Sequence, residues 1–177
     1  MATKPNQYLT VQRILVVEDD LRRQAKIESW IPDDANTRLR TVRSGNIAST
    51  IIELDNPSTW SGIMLDHDLD IINATTTYKS GADVAITMIG NTRKDIPVLI
   101  HSMNPEGSAR MKGLLEGAGF DHVTRIPFSD LTKEAFLEWT AVCSERAMER
   151  RDEREREMAE EAWERVQRVR ARLKTMT

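Results

Sequence analysis

Five short apolar runs, each closed by a polar break and followed by a helical pattern, constrain this chain more than any other feature. The runs 13–17 (Arg13-Ile14-Leu15-Val16-Val17), 62–65 (Gly62-Ile63-Met64-Leu65) and 96–100 (Ile96-Pro97-Val98-Leu99-Ile100) are continuous rather than alternating. Continuous aliphatic runs of this length are strands buried on both faces, as in a parallel sheet. Residues 37–42 alternate and read as an edge strand, and 122–126 form a short fifth strand. The intervening segments carry helical spacing: Ala25, Ile27 and Trp30 over 21–30; Ile47, Ile51, Ile52 and Leu54 after Ser44-Gly45-Asn46; then 80–89; then Met111, Leu114 and Leu115 over 106–117. Strands alternating with helices predict a three-layer, doubly wound α/β fold with right-handed crossovers.

A last helix is expected from about Leu131 to Lys174, roughly 60 Å at 1.5 Å per residue. Leu131, Ala135, Phe136, Trp139 and Val142 should cover the sheet. Beyond Ser144 the character changes, with ten basic and nine acidic residues between Ser144 and Lys174. The expected organisation is therefore a loose arm over 1–10, an α/β domain over 11–143 and a charged helical extension over 144–177. In the extension, Met148, Ala159, Ala162, Val166, Val169 and Leu173 keep a loose 3-4 spacing, and Asp152–Arg156, Glu161–Arg165 and Glu164–Arg168 are favourable i,i+4 pairs. Two readings stand: a solvated, charge-stitched helix, or a coiled coil joining two copies of the chain.

Composition narrows the function. The 177 residues, 40% of them apolar, suffice for one domain and its appendage, with no second enzyme domain. One cysteine, Cys143, excludes an internal disulfide and a cysteine-based zinc site. With no secretory pattern and no apolar run long enough to span a bilayer, a cytoplasmic protein without membrane association is expected. The net charge of −3 leaves no basic stripe outside the extension, so no dedicated DNA-binding surface is expected.

In sheets of this type, ligands sit beyond the carboxyl ends of the strands. That rule gathers Glu18-Asp19-Asp20, Asp66-His67-Asp68 and His101-Ser102-Met103-Asn104 onto one rim. Like charges brought together are costly unless a cation neutralises them, and carboxylates suit Mg²⁺ or Mn²⁺, with Glu18, Asp19, Asp20 and Asp66 as candidate ligands. His67 and His101 are candidate acid and base groups beside Asp66 and Asp68. Ser102, Asn104 and Arg110, around the start of a helix, are candidate phosphate contacts.

The order of these residues resembles the receiver domain of bacterial response regulators: Val-Val-Glu-Asp-Asp after strand one, an aspartate ending strand three, Ser102 ending strand four and Arg-Ile-Pro-Phe after strand five. The resemblance implies the strand order 2-1-3-4-5, Glu18 and Asp19 as metal ligands, Asp66 as phospho-acceptor and Ser102 as the hydroxyl residue. Ile126 stands where that family has a lysine, with Arg125 one place earlier and expected on the other face. Leu65-Asp66-His67-Asp68-Leu69, Ser80-Gly81-Ala82-Asp83-Val84-Ala85 and Ile100-His101-Ser102-Met103-Asn104-Pro105-Glu106-Gly107-Ser108-Ala109-Arg110-Met111 resemble the signature of receiver-like domains proposed to process cyclic phosphates. That second resemblance implies a phosphoesterase-like pocket, with Asp19, Asp66, His67, Asp68, His101 and Asn104 at the matched positions. The expected function is metal-dependent hydrolysis, or binding only, of a cyclic nucleotide or a 2′,3′-cyclic phosphate. The alternatives are a phospho-accepting signalling module using Asp66 and a non-catalytic protein that dimerises through its last helix.

Overall fold

The computed structural model describes residues 11–33, 36–69 and 78–174. Residues 1–10, where the loose arm is expected, together with 34–35, 70–77 and 175–177, lie outside the described residues. The elements are β1 (Gln12–Val17), α1 (Leu21–Glu28), β2 (Thr37–Val42), α2 (Gly45–Leu54), β3 (Gly62–Leu65), α3 (Gly81–Asn91), β4 (Val98–Ile100), α4 (Pro105–Gly117), β5 (Val123–Arg125) and α5 (Lys133–Lys174). The five strands form one parallel sheet in the order β2-β1-β3-β4-β5, with the order reversing between β1 and β3. This is the expected three-layer fold.

Side chains on successive strand residues point to opposite faces, so each buried strand feeds two cores. Leu15, Val17, Ile63, Leu65, Val98 and Ile100 pack under α2, α3 and α4. Ile14, Val16, Met64 and Leu99 pack under α1 and α5, against Ile27, Trp30, Phe136, Trp139 and Cys143. Burying a side chain such as Phe136 completely stabilises the fold by about 2–3 kcal/mol.

Several boundaries and faces differ from the sequence reading. β4 starts at Val98 because Pro97 has no N–H to give the ladder; its carbonyl still accepts from the Ile63 amide at 3.0 Å. α1 ends at Glu28, two residues early, while Trp30 remains in the core from the following turn. Ala25 is exposed and Gln24 is buried instead, its side-chain amide donating to the Glu18 carbonyl. On α2, Ile47 and Leu54 face solvent and Ala48, Ile51 and Ile52 carry the packing. On α5, Cys143 rather than Val142 faces the sheet. Pro105 is the first residue of α4, where a missing N–H costs nothing.

The chain divides into two compact units, 1–146 and 147–177. The second is a stretch of α5 in which residues 151–171 are exposed. Arg151–Glu155 at 2.8 Å and Glu164–Arg168 at 3.5 Å are i,i+4 ion pairs within it. Arg156 turns its Nε to the Asp152 carbonyl at 3.2 Å.

Candidate active site

Alternation continues past the strand ends and splits the rim residues between the two sides of the sheet. Glu18, Asp66 and His101 follow Val17, Leu65 and Ile100 and fall on the α1/α5 side. His67, one place further, falls on the α3/α4 side.

On the first side, Glu18 is fully buried and both of its oxygens are engaged. Oε1 accepts from the Asp20 amide at 2.9 Å and meets Arg23 Nη2 at 3.2 Å, while Oε2 lies 3.1 Å from His101 Nε2. Burial, the largest influence, pushes its pKa up, but the His101 hydrogen bond and charge, the Asp20 amide and Arg23 together hold it below the ordinary 4.5. A group depressed in the native state adds stability that is present above its unfolded pKa and is lost as pH falls. The melting temperature is therefore expected to fall as pH drops below about 4.5, and Glu18→Gln should flatten part of that decline; parallel profiles for the two proteins would contradict it.

Carboxylate oxygens of Glu18, Asp19 and Asp66 lie within 4.8 Å of one another. Asp20 is outside this group because it caps α1, accepting from the Arg22 and Arg23 amides at 2.7 and 3.1 Å. Those amide bonds also hold its pKa below the ordinary value. The cluster has a cation that the sequence reading overlooked. Arg23 Nη2 lies 3.2 Å from Glu18, 3.7 Å from Asp19 and 3.2 Å from Asp66 Oδ2, and its guanidinium stacks 5.5 Å from the Phe128 ring. The Asp66 contact is an ion pair without hydrogen-bond alignment, since Oδ2 has no hydrogen-bond partner. Ile126, at the lysine position of receivers, packs into the apolar core, and Arg125 is exposed and does not replace that lysine. Arg23 could have been suspected from its place one turn after the Glu18-Asp19-Asp20 run.

His101 is buried, with Nε2 on Glu18, Nδ1 without a partner and the ring 6.2 Å from Phe128. His101 is buried and His67 partly exposed, so the two imidazoles do not share one open surface.

His67 is different. Its ring is 19% exposed and Nδ1 lies 2.6 Å from Asp68 Oδ1. Asp68 Oδ1 also accepts from Asn104 Nδ2 at 3.1 Å, and Asn104 Oδ1 accepts from the Gly107 amide at 2.8 Å, capping α4. The His67 hydrogen bond, helped by Asn104, holds the Asp68 carboxyl below the usual range. An ionised Asp68 fixes the proton on Nδ1 and leaves Nε2 as the basic nitrogen. Asp66 Oδ1 accepts the His67 amide at 2.7 Å, so this pair is tied to the acidic cluster through one peptide.

Two glycines let the helices approach. A Cβ on Gly81 would collide with the Asp66 carbonyl and come within 2.9 Å of His67 Cα. A Cβ on Gly107 would stand 2.6 Å from His67 Nδ1. Gly107→Ala should thus displace the imidazole while helix propensity gains about 0.5–1 kcal/mol. The expected result is a shifted His67 imidazole resonance with an unchanged or higher melting temperature, measured on one preparation; a wild-type imidazole signal would show that the ring position tolerates the added methyl group.

Ser102 is buried and its Oγ accepts the Asn104 amide at 3.1 Å, a turn-forming contact. Arg110 is exposed on α4 and forms no ion pair with the described residues. Tyr78, also overlooked in the sequence, accepts the Leu69 amide at 3.0 Å through its hydroxyl. Burial, then the charges of Asp68, Asp19 and Asp66, raise its pKa, so the phenol keeps its proton to donate. An aromatic residue beside an acidic rim was the signal available for it.

This fold and this rim define a receiver-type domain. The structure is similar to a CheY-like response regulator receiver domain from Methanospirillum hungatei (14% identity, TM-score 0.57, 79% of this chain and 98% of that one). It is also similar to the signal receiver domain of a putative Luxo repressor protein from Vibrio parahaemolyticus (22%, 0.55, 77% and 92%). A third is the receiver domain of a sensor histidine kinase from Pseudomonas aeruginosa, with a magnesium ion coordinated in its active site cleft (19%, 0.51, 77% and 97%). Among curated proteins none matches. The family model of the cyclic-phosphate processing receiver domain matches residues 14–117, and the chain belongs to that family.

Proposed function

We propose that the protein hydrolyses a cyclic phosphate ester, a cyclic nucleotide or a 2′,3′-cyclic phosphate, with His67 as the base. The observation that carries this is the 2.6 Å contact between His67 Nδ1 and Asp68, which leaves Nε2 of a partly exposed imidazole able to take a proton. Nε2 takes a proton from water as the water oxygen bonds to phosphorus. The bond from phosphorus to one ring oxygen breaks, and the proton returns from Nε2 to that oxygen, giving a monoester and a free hydroxyl. In this reading Tyr78 and Arg110 would donate to phosphate oxygens. His101 acts at one remove, by holding Glu18.

The oxygen donors of Glu18, Asp19 and Asp66 suit Mg²⁺ or Mn²⁺ once Arg23 withdraws its guanidinium. Such an ion would polarise a phosphate oxygen. The magnesium-bound relative supports this reading of the cluster. No helix among the described residues is long and apolar enough to cross a membrane.

The test is incubation of the full chain with cyclic mono- and dinucleotides and 2′,3′-cyclic nucleotides, with and without Mg²⁺ or Mn²⁺, read by chromatography. A parallel sample receives acetyl phosphate and Mg²⁺ and is read by intact mass. Monoester product without an aspartyl adduct is expected. Binding without turnover would reduce the site to a sensor. A stable adduct on Asp66 with no turnover would make the protein a phospho-accepting signalling module.

A further inference from the structure

Arg23 occupies the acidic cluster in an incomplete way. Its Nη2 lies 3.2 Å from Glu18, 3.2 Å from Asp66 and 3.7 Å from Asp19, and its Nε lies 4.0 Å from Asp20. Asp66 is only 1% exposed, yet its Oδ2 has no hydrogen-bond partner, so at Asp66 the guanidinium supplies charge without a bond. A guanidinium carries five N–H donors in a rigid fork, and that part of the fork is unspent.

We infer that Arg23 is a phosphate-binding residue of this site, and that it exchanges the carboxylates for phosphate oxygens when a divalent cation takes its place among them. The inference rests on the reading of Glu18, Asp19 and Asp66 as a divalent-cation site. A guanidinium and a divalent ion do not share the same buried oxygens, because like charges at that separation repel strongly. The released guanidinium then needs another anion. Phe128, on which it stacks at 5.5 Å, carries no negative charge, and Lys26 Nζ, 5.1 Å from the same ring, is a second cation. Asp20 is exposed and already accepts the Arg22 and Arg23 amides, and an exposed ion pair contributes little. A phosphate diester can meet the planar fork with two oxygens, which is the stronger, bidentate contact. Ile126, in the apolar core, supplies no cation from the end of β5 to compete for that role.

The exchange couples the two ligands. A phosphate ester should tighten binding of the cation, and the cation should tighten binding of the ester by the same factor, because such coupling is reciprocal. No turnover is needed, so a site that bound its ester without hydrolysing it would show the same coupling.

The experiment titrates the full chain with Mn²⁺, reading free Mn²⁺ by electron paramagnetic resonance, in dimethyl phosphate and in sodium chloride of equal ionic strength. Dimethyl phosphate is a singly charged diester with no ring to open. The apparent Kd for Mn²⁺ should be about tenfold lower in dimethyl phosphate for wild type. The two values should be equal for Arg23→Met, whose fold is followed by circular dichroism. Should Arg23→Met not fold, Arg23→Lys replaces it; lysine keeps the charge without the fork, and the difference should shrink to about threefold or less. Mn²⁺ binding that ignores dimethyl phosphate in wild type overturns the exchange while leaving the cation site standing. An undiminished effect after substitution also overturns it, placing the ester on the ion itself. No Mn²⁺ binding in any sample removes the cation site and the inference with it.

Discussion

His67→Gln is expected to lower turnover of a cyclic phosphate by about 10²- to 10⁴-fold, the usual contribution of a positioned acid–base group. The melting temperature should stay within a few degrees of wild type, because the ring is partly exposed and lies beside Gly107, which has no side chain to pack on it. Glutamine keeps a donor toward Asp68 but offers no basic nitrogen. The loss should therefore appear in kcat, with KM little changed. Asp68→Asn should also be slow, since the asparagine no longer fixes the Nδ1 proton. A His67→Gln protein that turns over like wild type would remove the imidazole from the chemistry.

The second large effect concerns Arg23. Replacing it with methionine keeps the length of the side chain and its packing on Phe128 but leaves buried Glu18 and Asp66 without their cation. Breaking a buried ion pair by removing one partner costs about 3–5 kcal/mol, and with Arg23 23% exposed the lower end, about 3 kcal/mol, is expected. Arg23→Met should regain stability with added Mg²⁺ or Mn²⁺, and more so than wild type, in which the guanidinium competes for the same oxygens. Thermal shift across a metal titration checks this. A variant as stable as wild type, or one indifferent to metal, would show that the arginine is not the counter-charge of the cluster.

The fold was legible because the signals were local. Unbroken runs such as Ile14 to Val17 can be little but buried strands, and the breaks at Pro32, Pro57 and Gly117-Ala118-Gly119 separate the elements. The rim was legible through one topological rule, which places the ends of β1, β3 and β4 together. Helix faces were less so. Ala25 and Gln24, or Val142 and Cys143, are neighbours in sequence, and only packing decides which turns inward. The division of the two histidines between opposite sides of the sheet follows from a single residue of register, His67 against Asp66, which a motif reading passes over. Arg23 was missed because its role depends on a guanidinium reaching across three residue ends, a relation set by tertiary structure. The departure at Ile126 was visible in the sequence, whereas the cation that faces the cluster from α1 was signalled only by the place of Arg23 one turn after the acidic run.

The central claim, that the His67–Asp68 pair performs phosphate-ester chemistry, is tested most directly by ³¹P nuclear magnetic resonance. Wild type and His67→Gln are each followed with a 2′,3′-cyclic nucleotide under identical metal conditions. The account predicts that the cyclic signal gives way to a monoester signal with wild type and persists with His67→Gln. Equal rates of conversion in both samples, or an unchanged cyclic signal in both, would contradict it.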